Sequence, residues 1–270
     1  PKQAEDSAYY PTLPGVHPSR VSARSSMTDI DYGSYLRLEE LLALQLPQSQ
    51  PEHPDELLFI VVHQASELWF KVLRHEFDTL IAALEQFDTM RALLSVQRVN
   101  ALTEIISQQL AALDTLPPQR FAQFRGYLGS SSGSQSAQFR AIEATAGLRD
   151  AHFLQTISEH GPPPAEVQAA LELPTLQSLV LALLAHEQVE LAALYTGPGP
   201  TPLFLLVEGL LEFEQRFARW RFLHVQLVER IIGPGTGGTG GTLGAKYLSR
   251  TVAQKFFPEL WAVRSAFYGR

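Results

Sequence analysis

The chain has no cysteine. That absence removes disulfides, thiolate zinc sites, iron–sulfur clusters and a cysteine nucleophile together. Any metal must therefore be held by His, Asp, Glu or a porphyrin. Positive charge is scarce as well: the net charge is −7, the pI is near 5.6, and no basic cluster stands out. A nucleic-acid partner therefore has no electrostatic footprint. No apolar run reads as membrane-spanning and nothing resembles a secretory signal, so the expectation is a cytoplasmic protein with no membrane partner. Alternating strand patterns and internal repeats are also missing. What remains predicts an all-α protein, a single-domain helical bundle.

With 270 residues, 45% of them hydrophobic, the chain has ample material for a core. Residues 1–28 hold four of the 18 prolines and show no periodicity, which predicts a mobile tail ahead of a helical domain over 29–270. Met27 reads as a natural start, and the residues before it as an added or processed extension.

The most informative stretch runs from Thr201 to Leu248. Leu210, Phe213, Phe217, Trp220, His224, Leu227 and Ile231 recur at steps of three and four, one buried stripe on one long helix. Only His224 in that stripe is polar. A loop rich in glycine and threonine follows, from Gly233 to Thr242. A second long helix repeats the device: Phe59, His63, Ser66, Phe70, Leu73, Phe77, Leu80, Leu84 and Phe87 form its stripe, and His63 is its histidine. A lone histidine on an apolar face is commonly a core residue bonded to a backbone carbonyl. Two such histidines on two long helices also suit the opposite walls of a cofactor pocket. Both readings stand at this point.

Between the two helices, Phe121-Ala-Gln-Phe124-Arg125-Gly-Tyr-Leu128 leads into the serine-glycine run Gly129 to Ser136. A guanidinium there matches a carboxylate, because its fork bonds both oxygens. The plainer alternative is an arginine stem packed on Phe121 or Phe124. Other motifs fail. Gly235-Thr-Gly-Gly-Thr-Gly240 spells a dinucleotide fingerprint but follows a helix rather than a strand. His186-Glu187 lacks a second histidine four positions after His186, where Glu190 stands.

In these residues the sequence resembles the tryptophan 2,3-dioxygenase family, from about Tyr32 to Arg264. The likeness is carried by Tyr32-Gly-Ser-Tyr35-Leu and by Glu56-Leu-Leu-Phe59-Ile-Val-Val-His63-Gln-Ala-Ser-Glu67-Leu-Trp69-Phe-Lys71. It continues in Phe124-Arg125-Gly-Tyr-Leu128 with Ser132-Gly-Ser-Gln-Ser136, in Trp220-Arg-Phe-Leu-His224-Val, and in Gly238-Thr239-Gly-Gly-Thr-Leu-Gly244 before Tyr247-Leu248.

The resemblance implies heme b, with His224 as the axial iron ligand through a neutral imidazole. It implies that His63 bonds the indole N–H on the distal side and that Arg125 clamps the amino-acid carboxylate. Thr239 would meet the ammonium end, Phe59, Phe121 and Leu128 would line the indole pocket, and Ser132 would lie near the propionates. Tyr32 and Tyr35 would reach in from a neighbouring subunit of a homotetramer. The implied reaction adds O2 across C2–C3 of the indole of L-tryptophan to give N-formylkynurenine. A related heme monooxygenase making a 2-oxindole, and a non-catalytic heme carrier or sensor, are the alternatives. The chain departs from the family pattern in two places. Ser134 stands where phenylalanine is usual. The glycine loop is one residue longer, so Thr236 competes with Thr239 for its role.

Overall fold

Every regular element among the described residues is a helix, as the all-α expectation requires. A computed structural model of the protein describes residues 30–158, 161–197, 199–238 and 244–268. The expected tail, residues 1–28, lies outside them. Contacts divide the chain into Pro1–Leu44 and Gln45–Arg270.

The first unit holds two single-turn helices, α1 (Tyr32–Leu36) and α2 (Leu38–Leu42). Asp31 caps α1: its Oδ1 accepts the Ser34 N–H at 2.8 Å, while Ser34 Oγ accepts the Asp31 N–H at 3.0 Å. The apolar spacing predicts one amphipathic segment here, but Arg37 adopts a left-handed φ of 52° and divides it. Neither helix buries a residue.

The second unit carries α3 (Glu56–Glu85), α4 (Thr89–Gln108), α5 (Leu110–Leu113), α6 (Pro118–Phe124), α7 (Ala137–Ala146), α8 (Ala151–Ser158) and α9 (Ala165–Glu172). It continues with α10 (Leu176–His186), α11 (Ala193–Thr196), α12 (Pro202–Ile232), α13 (Ala245–Thr251) and α14 (Pro258–Tyr268). Its framework is α3, α4 and α12, the three long helices. The predicted stripes are what they bury: Leu73, Phe77, Leu80 and Leu84 of α3 and Leu210, Phe213 and Phe217 of α12 are all at most 3% exposed. Phe77 meets Phe213 edge-on at 5.4 Å. Close approach of α4 and α12 depends on Gly209, where a Cβ would fall 2.5 Å from Val96 Cγ1. Asn100 Nδ2 donates to the Gly209 carbonyl at 2.9 Å and fixes that crossing.

Several helix ends fall elsewhere than sequence alone predicts. Asp55 stands where an N-cap is expected before α3 but makes no capping bond; its Oδ1 accepts instead from Arg120 Nη2 at 2.9 Å. Apolar spacing predicts one helix from Leu176 to Tyr195, but α10 stops at His186, where Gln188 turns to φ 57°. It predicts another from Ala245 to Phe257, but α13 stops at Thr251. One stretch, Ala165–His186, does reach membrane-spanning length and apolarity, against the expectation above. It is two helices, α9 and α10, divided at residues 173–175, and Leu176, Val180 and Leu183 of α10 are fully buried in the core. Beyond α12, the Glu214 carboxylate accepts the N–H groups of Phe256 and Phe257 at 2.7 and 2.8 Å and the Trp261 indole N–H at 2.6 Å. That buried anion fastens the chain after α13 to the middle of α12.

Candidate active site

The cavity of the second unit measures about 590 Å³ and is mainly apolar, a size suited to a small-molecule site. Its long walls are α3 and α12, which bring His63 and His224 to one space. The two histidine stripes thus both border the pocket, and His63 also makes the bond to a backbone carbonyl that the core reading predicts.

His63 shows how the helix sets its chemistry. Its Nδ1–H donates to the Phe59 carbonyl one turn earlier, at 2.7 Å. That bond fixes the tautomer and leaves Nε2 bare as an acceptor. The ring packs on Phe59 at 4.2 Å between centroids and opens onto the cavity. Burial lowers its proton affinity below the usual histidine value, while the Phe59 bond and the Glu67 charge act the other way. His224 is pushed down to about 4, chiefly by burial and then by His63 across the cavity. Both imidazoles are therefore neutral at neutral pH. His224 stacks on Trp220, with centroids 5.2 Å apart and planes at 25°.

Phe121 and Phe124, at the end of α6, pack edge-on at 5.2 Å and are buried. Phe59 lies 5.6 Å from Phe121, so the three rings form an aromatic wall beside His63. Arg125 opens the 3-10 turn that follows α6, and its Nη2 donates to the Gly237 carbonyl of the glycine loop. Leu128 and Ser132 also line the cavity. Ser132 caps a second 3-10 turn: its N–H donates to Gln135 Oε1 at 3.1 Å, and its hydroxyl lies 2.9 Å from that of Ser134. Thr239 lies outside the described residues. Thr236 marks where the loop's ends meet, since a Cβ on Gly244 (φ 60°) would fall 2.3 Å from the Thr236 carbonyl oxygen. Tyr32 and Tyr35 are on α1 in the first unit, and both are exposed.

Several cavity residues escape the sequence reading. Glu56, 1% exposed, accepts the Gln48 and Ser49 N–H groups at 2.7 and 3.0 Å and holds that segment against the wall. Glu143 bridges Arg140 at 2.7 Å and Arg221 at 2.6 Å, all three buried. Arg221 sits between the Phe217 and Phe256 rings, 4.9 and 5.0 Å from their centroids. A signal existed for it: steps of four and three from Phe217 to His224 pass through Arg221. Its charge alone suggests the solvent face.

An apolar space lined by two neutral imidazoles suits a flat iron macrocycle, and one orphan supports that fit. Trp220 Nε1 is a buried donor with no partner, next to His224 on the cavity wall. Fold and site together define a helical protein with an apolar pocket lined by two histidines and an adjoining aromatic slot with an arginine at its edge. The sequence profile of the family described as Tryptophan 2,3-dioxygenase matches residues 19–160 and 183–267. A tryptophan 2,3-dioxygenase of Kineococcus radiotolerans is 39% identical over 262 residues, covering 88% of this chain and 91% of that protein. Those of Anaeromyxobacter dehalogenans and a Bradyrhizobium species are 39% and 38% identical, covering 88% and 94% of this chain and 96% and 98% of their own. The chain belongs to the tryptophan 2,3-dioxygenase family, a family of heme-dependent oxidoreductases.

Proposed function

We propose that this protein adds both atoms of O2 across the C2–C3 bond of the indole of L-tryptophan, giving N-formylkynurenine. The observation that carries this reading is the pair of neutral imidazoles, His63 of α3 and His224 of α12, lining one cavity with an aromatic slot beside His63. The cofactor of this reading is heme b, which His224 would hold through its neutral imidazole and Ser132 through its propionates; bound there, it would supply the binding and activation of dioxygen.

The chain's own residues provide position and charge. Phe59, Phe121 and Leu128 sandwich the indole and exclude water from it. His63 Nε2, left bare by the bond from Nδ1, accepts the indole N–H and sets the ring's rotation in the slot. A neutral imidazole is far too weak a base to remove that proton outright, so His63 orients and polarises. Arg125 takes the carboxylate with the guanidinium donors that Gly237 does not use. A threonine of the glycine loop, Thr239 or Thr236, meets the ammonium end.

The enzyme is a cytoplasmic homotetramer in which Tyr32 and Tyr35 complete a neighbouring subunit's site. Supporting this, α3 carries an exposed apolar stripe, Leu57, Val61, Leu68 and Val72, on one face of the helix. Product mass after turnover under 18O2 tests the reaction. Two labelled atoms in N-formylkynurenine are expected. One labelled atom in a 2-oxindole, or no turnover by the ferrous protein, overturns it.

A further inference from the structure

Glu67 is a carboxylate in the wall of a cavity that is otherwise mostly apolar. It stands one turn beyond His63 on α3, at the i+4 position, so the two side chains share a face. A second helix holds it there: Gln138 of α7 donates through Nε2 to Glu67 Oε2 at 3.0 Å and to the Glu67 carbonyl at 2.9 Å. A carboxylate in such surroundings costs free energy unless it is paired or has work to do, and here the neutral Gln138 amide bonds it.

We propose that Glu67 is a positioning residue for His63: clamped by Gln138, its negative charge strengthens the imidazole as acceptor of the indole N–H. This rests on the reading of His63 given under Proposed function. His63 has no carboxylate at Nδ1, which donates to the Phe59 carbonyl, so any anionic help must act through space. As the indole ring gives up electron density to oxygen, its N–H becomes a stronger donor and positive charge gathers on the imidazole. A fixed anion one turn away stabilises that charge, and no net proton transfer is required.

The other charged groups lining the cavity are committed or act oppositely. Glu56 is bonded to the Gln48 and Ser49 amides, and Glu143 to Arg140 and Arg221. Arg125 faces the Gly237 carbonyl and adds positive rather than negative character to the cavity. Glu67 is also the one carboxylate that raises the proton affinity of His63, against the larger effect of burial.

Two substitutions separate charge from clamp. Glu67→Gln keeps an oxygen for the Gln138 amide and removes the charge; Gln138→Met removes the clamp and keeps the charge. The readout is the pH midpoint of the C–O stretch in the ferrous–CO holoenzyme, assigned to His63 by its loss in His63→Ala. Removing the anion lowers the His63 proton affinity, so Glu67→Gln should move that midpoint down by about half a unit or more. Its kcat should fall several-fold at unchanged KM, and Gln138→Met should shift the midpoint less. A Glu67→Gln midpoint equal to that of the parent, or equal shifts in both variants, overturns the proposal. A parent enzyme that makes no N-formylkynurenine overturns the functional reading instead, whatever the midpoints do.

Discussion

At the scale of single residues, the proposed iron ligand is His224. His224 is neutral because burial drives its proton affinity down, and a neutral imidazole is the form that bonds a metal. His224→Ala should abolish tight hemin uptake, read as loss of the Soret band on titration; an unchanged spectrum would remove His224 from the ligand role. Arg125 is tested by kinetics. In its proposed role it anchors substrate through a charge-assisted bond typically worth about 1.5–3 kcal/mol, so Arg125→Ala should raise KM for L-tryptophan about tenfold to a hundredfold. Arg125→Lys should recover part of that, since an ammonium keeps the charge but loses the fork. A KM unmoved in both variants would mean that the carboxylate is held elsewhere.

Among the elements, the helix crossing that aims the two histidines is the sensitive part. The bedding of α12 on α4 sets where α12 stands, and Gly209 against the Val96 side chain is where the two helices approach closely. Gly209→Ala would drive a methyl into Val96 and should cost about 1–3 kcal/mol of stability by denaturant unfolding. Adding Val96→Ala should recover much of the loss, so the double variant is more stable than the two single effects summed. Simple additivity would show that the crossing does not depend on this contact. The Glu143 bridge between α7 and α12 acts at the same scale, fixing the helix after the serine loop to the helix that carries His224.

For the whole molecule, the exposed stripe on α3 is the face proposed for assembly. Leu68 and Val72 are 52% and 39% exposed, on the same helix that bears His63 on another face. Leu68→Glu combined with Val72→Glu places two like charges on that stripe and should reduce the tetramer to smaller species by light scattering, with activity falling in parallel. A tetramer unaffected by both charges would move the interface away from α3.

By itself, the sequence determined the class of fold and the identity of the central pair. Apolar periodicity over thirty residues needs no tertiary information, and a histidine in such a stripe is legible at once. Arg125 and the aromatic wall were legible for a similar reason, since they are close in sequence. The tertiary structure alone decided what lies opposite what. Glu67, Glu143, Arg140 and Arg221 read as ordinary charges of solvent-facing helix sides, and they line the cavity because α3, α7 and α12 converge on it. Helix ends at Arg37, His186 and Thr251 were equally hidden, because the left-handed turns at Arg37 and Gln188 fall on residues that are not glycine and carry no breaker signal. Periodicity records which face of a helix is buried; only packing records which neighbour buries it.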